Sequence, residues 1–299
     1  MTKLLAILID GSIYASWVFL MGLGMTLIYG VMKILNIAHG SLYALGAYTS
    51  VSLIGFYYAT GSYPPMLGYA MLPLAAIAVG LIAGLLIERG VLRFMYGRDE
   101  VVMLLVTYSI FLILEDTAKL IWRVDPYFAY QPYGLLGTVE ILDLIYPVYD
   151  FLLIAISLIC AAFVWWGLNK TRVGKLLIAV IHDREMSMAF GINVKLFFTV
   201  TFVIGAAFGA LGGAVTAPKV SVVPGLGVEV IVLAFAVVVI GGLGSIEGAM
   251  IGSVIVGIVR AATVHILPEV ELFVIYGVMA LVLAFRPLGL FAGPEVRKI

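Results

Sequence analysis

Charge is what this sequence has least of. Only 11% of its 299 residues are Asp, Glu, Lys or Arg, 64% are hydrophobic, and mean hydropathy is +1.18. A water-soluble domain carries about 25% charged residues, so an aqueous globule is excluded. Basic and acidic residues balance at seventeen each, which removes the basic surface that nucleic acid would need. A single cysteine, Cys160, excludes an internal disulfide and lies in an apolar run, where packing is its role. Catalytic patterns are missing as well. Gly174-Lys175 is followed by Leu176, so there is no phosphate-binding loop and no ATP hydrolysis by this chain. No HExxH, GxSxG or cysteine pair occurs, and Gly242, Gly244 and Gly248 lack dinucleotide-binding spacing. His39, His182 and His265 are too scattered for a metal site. The chain reads as a non-enzyme without a cofactor of its own.

What is present is long apolar runs. Several exceed the roughly 18–20 residues that cross about 30 Å of hydrocarbon, and the alternating short segments of a barrel are absent. The expected fold is an all-α polytopic membrane protein, one transmembrane domain over 1–299. Spans are expected at 4–32, 34–58, 66–87, 101–122, 148–168 and 197–217, then at 228–240, 249–266 and 272–285. The N-terminal run is too long for a signal peptide and is kept as the first span. Eight or nine crossings result, because 226–250, interrupted by GGLGSIEG, reads either as a full span or as a re-entrant pair. The Tyr-, Pro- and Gly-rich loop 123–147 is expected to fold on the membrane surface. Glycine pairs at four-residue spacing (Gly80 and Gly84; Gly205, Gly209 and Gly213; Gly248 and Gly252) predict close helix packing, within the chain or against a second membrane subunit. HGSLYALGA and LGSIEGAMIG hint at a faint internal repeat.

Lysine and arginine set the orientation. Alternating the loops puts Lys33, Arg89, Arg93, Arg98, Lys170, Arg172, Lys175, Arg184, Lys195, Arg286, Arg297 and Lys298 on one side and Lys3, Arg123 and Lys219 on the other. Twelve against three makes the first side cytoplasmic, including the C-terminus. Trp122 and the pair Trp165 and Trp166 fall at span ends, as interfacial belts require.

The longest polar stretch, Lys170 to Lys195, is therefore expected in the cytoplasm as a helix–turn–helix. Asp183 is placed to N-cap a short helix whose first turn carries Arg184 and Glu185. Gly191 suits the left-handed residue that ends it, and Asn193 can cap the next span. Met186, Met188, Ala189 and Phe190 leave an apolar surface rimmed by charge, which points either to protein docking or to a helix lying on lipid.

DREMSMAFGIN (183–193) resembles the coupling loop of ABC importer permeases, in which a Glu-Ala-Ala run is followed by glycine. More closely, the chain resembles branched-chain amino-acid permeases of the LivH type, through 11–48, ERGVLRFMYGR (88–98), VVIGGLGSIEGAMIG (238–252), AFRPLGLF (284–291) and the specific Asn-x-Ala-His-Gly at 36–40. Met186-Ser187 departs from the two alanines of that loop. The resemblance implies a type II ABC importer fold and a bacterial inner-membrane uptake system for branched-chain amino acids, with urea, short amides or aromatic carboxylates as alternatives. It implies a second related permease, two cytoplasmic ATPases that bind the ATP and Mg, and an extracytoplasmic solute-binding protein. Asp183, Arg184, Glu185, Met188, Ala189, Gly191, Ile192 and Asn193 would form the ATPase-coupling site. An ion-coupled secondary transporter is the alternative of another class; no midplane carboxylate cluster supports it.

Within the spans, Asn36 and His39 stand at a break between the first two. Buried Asn and His need partners or a wet path, so they read either as hydrogen bonds holding the break or as pathway groups. Glu115, with Asp116 and Lys119, reads as an interfacial ion network or a solute contact. Asn36, His39, Thr107 and Glu115 are the candidate translocation residues.

Overall fold

The computed structural model describes residues 2–61, 64–141 and 144–291. Twelve α-helices and one β-hairpin are formed among them: α1 Thr2–Met32, α2 His39–Ala59, α3 Met71–Gly90, α4 Glu100–Trp122, α5 Gln131–Leu135, β1 Thr138–Ile141, β2 Leu144–Pro147, α6 Val148–Lys170, α7 Arg172–His182, α8 Arg184–Ala189, α9 Val194–Thr216, α10 Leu226–Gly241, α11 Ile246–Ile266 and α12 Glu271–Phe285. Six segments, built on α1, α3, α4, α6, α9 and α11, are long and apolar enough to cross a bilayer, and α10 and α12 are shorter apolar helices. With the 21-residue α2 they make nine. The chain is an all-α polytopic membrane protein.

One detail differs from the sequence expectation, and two add to it. The second span begins at His39, not Ile34, because α1 ends at Lys33 with φ +57, a left-handed conformation that breaks the helix. Segment 226–250 holds one unbroken helix, α10, of about 24 Å at 1.5 Å per residue, followed by a turn at Gly242 and Gly244, both at positive φ. Loop 123–147 contains α5 and an antiparallel β1–β2 pair, and Tyr127 bridges Val222 in the α9–α10 connection.

Packing is reciprocal between two three-helix units. α1 lies on α11, α3 on α9, α2 on α10, and α1 on α9 at the centre. Gly24 of α1 and Gly205 of α9 each face the other's carbonyl, and so do Gly40 of α2 and Gly227 of α10. α1 runs antiparallel to α9, since Gly24 meets Gly205 and the Met21 amide nitrogen faces Gly212. Units of opposite direction are the layout of an inverted repeat. Its partners are α1–α3 and α9–α11, so the start of α2 pairs with the start of α10 and not with the LGSIEGAMIG stretch. The glycine pairs all serve this packing: Gly80 and Gly84 against Ala207 and Val203, Gly205, Gly209 and Gly213 against α1 and α2, and Gly248 and Gly252 against α10.

The helices sort their ends into two clusters. At one end lie Lys33, the Glu88 end of α3, the start of α4, α7, α8 and the start of α9, joined by bonds described below. This end carries ten of the twelve basic residues grouped from the sequence; Arg297 and Lys298 lie outside the described residues. At the other end, Lys219 pairs with Asp150 (2.8 Å), His265 with Asp10 (2.7 Å) and Arg260 with Glu271. Trp122 stacks on Tyr48 (5.1 Å) and donates to Ser52 Oγ (2.7 Å), so it locks α4 to α2 as well as marking a boundary.

A Cβ on Gly213 would overlap the Tyr43 carbonyl, whereas one on Gly55 meets nothing within 4 Å. Gly213→Val is expected to lower stability by about 1–3 kcal/mol through helix separation. Gly55→Ala should leave it unchanged, and thermal unfolding in detergent compares the two.

Candidate coupling site and membrane-buried polar junction

The polar stretch folds as two helices. Thr171 caps α7 by accepting from the Gly174 amide (3.0 Å), and Gly174 has no room for a side chain beneath the carbonyls of Gly167 and Leu168. Leu177 and Val180, one turn apart, are buried and fasten α7 to the bundle. The cap on α7 was missed by sequence reasoning, although Thr171 ahead of an i, i+3 apolar pair was a usable signal. Asp183 then breaks the chain with extended φ −150 and caps α8 through Met186 N (2.9 Å). Gly191 follows at φ +80, and Asn193 caps α9 through Leu196 N (3.1 Å). Asp183, Gly191 and Asn193 thus define a six-residue helix suspended between two turns.

Its faces differ. Asp183, Glu185, Met188, Ala189, Gly191 and Asn193 are exposed or half-buried, with Met186 (55%), Met188 (56%) and Phe190 (78%) forming an exposed apolar patch. Ser187 is buried and Ile192 half-buried, tying the helix down through the Ile192 amide on the Ser187 carbonyl (3.0 Å). Arg184 turns inward: its Nη2 donates to the carbonyls of Met32 (3.1 Å) and Val31 (3.4 Å), and its guanidinium lies 4.8 Å from the Phe198 ring centre. Between α8, the end of α1 and the start of α4 is a crevice of about 580 Å³ lined by Tyr29, Lys33, Tyr96, Arg98, Glu100 and residues 181–185. Burial, and then Arg184, holds the Lys33 ammonium below its ordinary value. Burial lowers Arg184 too.

Glu88 is a residue whose role the sequence hid. Fully buried at the end of α3, it accepts from Tyr96 OH (2.6 Å) and Thr199 Oγ1 (2.8 Å), joining α3, the 92–99 turn and α9 beneath the crevice. Burial, then the bond to Glu88, pushes the Tyr96 phenol above its usual range.

The four candidate pathway residues are buried; Thr107 and Glu115 face the starts of α2 and α10 from α4, whereas His39 turns to α1 and α9. Thr107 Oγ1 donates to Leu35 O (3.1 Å) and receives Ile37 N (3.4 Å), holding the non-helical 33–38 segment. His39 bonds through Nε2 to Met21 O (3.0 Å) in space left by Gly24 and Gly209. Glu115 accepts from Gly225 N (3.3 Å) at the start of α10. Asn36 is fully buried, and its carboxamide has no hydrogen-bond partner among the described residues. Asp116 and Lys119 form an exposed pair (3.0 Å), separate from Glu115.

Replacing Asp183 by alanine should cost α8 about 1 kcal/mol, while Asp183→Asn retains the cap. Hydrogen exchange at the Ser187 and Phe190 amides reads this directly; undiminished protection in the alanine variant would show that the cap contributes nothing.

Comparison with known proteins places the whole chain. The family model described as branched-chain amino acid transport system / permease component matches residues 7–283. The chain is similar to the high-affinity branched-chain amino acid transport system permease protein BraD of Pseudomonas aeruginosa, at 28% identity over 98% of this chain and 97% of that one. It is similar to LivH of Escherichia coli K12, a protein of the same description, at 28% identity over 97% and 94%. A probable branched-chain amino acid transport permease protein LivH from Methanocaldococcus jannaschii matches at 25% identity over 98% and 94%. No solved structure matches the chain. With nine apolar helices among its described residues and a match over nearly its full length, the chain belongs to the permease component family of branched-chain amino acid transport systems.

Proposed function

We propose that this chain is the membrane-spanning subunit of an ATP-driven ABC importer, of the type II fold, that carries branched-chain amino acids across a bacterial inner membrane. The observation that carries this reading is α8: a capped, charge-rimmed helix presenting Met186, Met188 and Phe190 to solvent at the end where basic residues gather. A helix lying on lipid is the competing use of such a patch. The family membership and the turn-to-turn suspension of α8 favour a protein partner. The partner is a cytoplasmic ATPase, two copies serving this subunit and a second, related permease, with solute delivered by an extracytoplasmic binding protein. ATP and Mg are held by the ATPases, and this chain is non-catalytic. The excess of Lys and Arg makes the α7–α8 end and the C-terminal end of α12 cytoplasmic. The relatives' names supply the branched-chain substrate, and nothing in the chain favours urea, short amides or aromatic carboxylates.

The passage is placed at the α2–α10 junction. Both helices begin inside the bundle, where Gly40 faces Gly227 and Glu115 meets the first turn of α10. Irregular backbone at membrane depth persists only where protein or a wet cavity satisfies it, and helix starts of this kind mark solute sites in transporters. On this reading Asn36, with His39, Thr107 and Glu115 around the same junction, offers its free carboxamide to the solute.

One experiment bears on each part. In proteoliposomes holding the full assembly, leucine uptake should require ATP at the face carrying 170–195 and should stop in Glu185→Lys and in Gly191→Pro, since proline cannot adopt φ +80. ATP-independent uptake driven by an ion gradient would refute the importer. In the same vesicles Asn36→Leu should raise thermal stability by removing an unpaired buried amide, yet lower uptake. Higher stability with full uptake would remove Asn36 from the passage.

A further inference from the structure

We infer that Arg184 is the strut through which displacement of α8 reaches α1, a positioning residue and not a contact with the ATPase. This rests on the reading of α8 as the ATPase-facing helix. The side chain points away from the exposed Met186, Met188 and Phe190 face and grips the far end of another element. α1 stops where Lys33 leaves the helix at φ +57, so the carbonyls of Val31 and Met32 lack an amide donor from a following turn. Arg184 Nη2 supplies it at 3.4 and 3.1 Å, a charge-assisted bond that also answers the negative end of the α1 dipole. Phe198 of α9 holds the guanidinium in place at 4.8 Å. A planar guanidinium held over an aromatic ring is a property of arginine that lysine lacks.

The surroundings allow the strut to move. α8 hangs between the extended Asp183 and the left-handed Gly191, two points at which the chain turns without further helix. The crevice of about 580 Å³ under it is space into which α8 and the end of α1 can shift. α1 then runs without interruption toward the opposite end of the molecule; about 33 Å along it Asp10 pairs with His265, and near it Tyr14 lies under Arg260 (4.0 Å) beside a second crevice of about 350 Å³. A push on α8 therefore has a continuous route to the opposite mouth through one arginine and one helix.

Arg184→Lys tests this, because it keeps the charge and removes the planar group held over Phe198. The assembly is purified with its ATPases, and uptake is measured together with thiol labelling of the Ile13→Cys variant, whose substituted position lines the second crevice, in a Cys160→Ser background. Expected are full co-purification of the ATPases, a fall in ATP-driven leucine uptake of about tenfold, and a labelling rate at position 13 that no longer changes between nucleotide-free and ATP-trapped states. In the parent with Arg184 intact that rate should change on trapping. Loss of the ATPases from Arg184→Lys would make Arg184 a docking contact and overturn the strut. Normal uptake, or labelling that still responds to ATP, would overturn it equally. If the parent assembly itself shows no ATP-dependent uptake, the importer reading fails first.

Discussion

The bundle depends on backbones touching. In lipid, apolar side chains gain little by leaving one hydrocarbon environment for another, so helices associate through close packing and buried polar contacts. Here the central pair, α1 and α9, meets where Gly24 and Gly205 each face the other's carbonyl. The same closeness makes room elsewhere: the His39 ring occupies the space that side chains on Gly24 and Gly209 would fill, and from there bonds Met21 O. A histidine in the interior is thus a consequence of glycine packing, and its bond ties the start of α2 to the middle of α1.

Close packing also permits helices to begin and end inside the bundle, where each exposed amide and carbonyl must find a partner. The chain meets this need with side chains from distant elements. Thr107 holds the backbone of 35–37, Glu115 takes the Gly225 amide, Ser41 donates to Phe111 O (3.1 Å), and Arg184 serves the last carbonyls of α1. These bonds set the relative heights of α1, α2, α4 and α10. The polar residues that stand out within apolar spans are therefore, for the most part, holding interrupted helices, whereas both polar atoms of the Asn36 carboxamide, like the Thr26 hydroxyl, are without a partner among the described residues.

Much of α8 was legible because caps act within three or four residues. Asp183, Gly191 and Asn193 announce a short helix between two turns without knowledge of anything beyond residue 196. The spans of 20 or more apolar residues were legible for the same reason, being local in composition, and the glycine spacings correctly foretold close packing. What could not be read depends on distance. The acceptors of Arg184 lie 152 and 153 residues away, and Thr199, which donates to Glu88, lies 111 residues from it. The start of α2 was misplaced because Ile34, Leu35, Ile37 and Ala38 lead into the apolar run, and hydropathy is blind to a residue such as Lys33 turning left-handed. The inverted relation of α1–α3 to α9–α11 was not read from the sequence, and the Gly-Ser matches aligned α2 with α11 instead, because it is packing geometry and not residue identity that makes the units alike.

The two ends of the molecule are built for different duties. Around the α10–α11 connection, which lies at the α8 end against Gly30 of α1, glycine turns and the bond from the Phe291 amide to Gly241 O (2.8 Å) stitch the chain tightly. At the mouth near Asp10, two ion pairs and the His265–Asp10 hydrogen bond between different elements close the structure, and such pairs exchange partners at modest cost when they are partly hydrated. The α8 end instead combines a hinged geometry, two turns and a crevice, with a stiff connection to α1 and a buried Glu88–Tyr96–Thr199 knot that fixes α3 to α9. α8 is free at its surface and held from beneath by the buried Ser187 and by Arg184, which reaches both the end of α1 and Phe198 of α9. On the proposed reading of α8, that arrangement, more than the apolar patch alone, would carry a push at α8 into the end of α1 and onto Phe198 of α9.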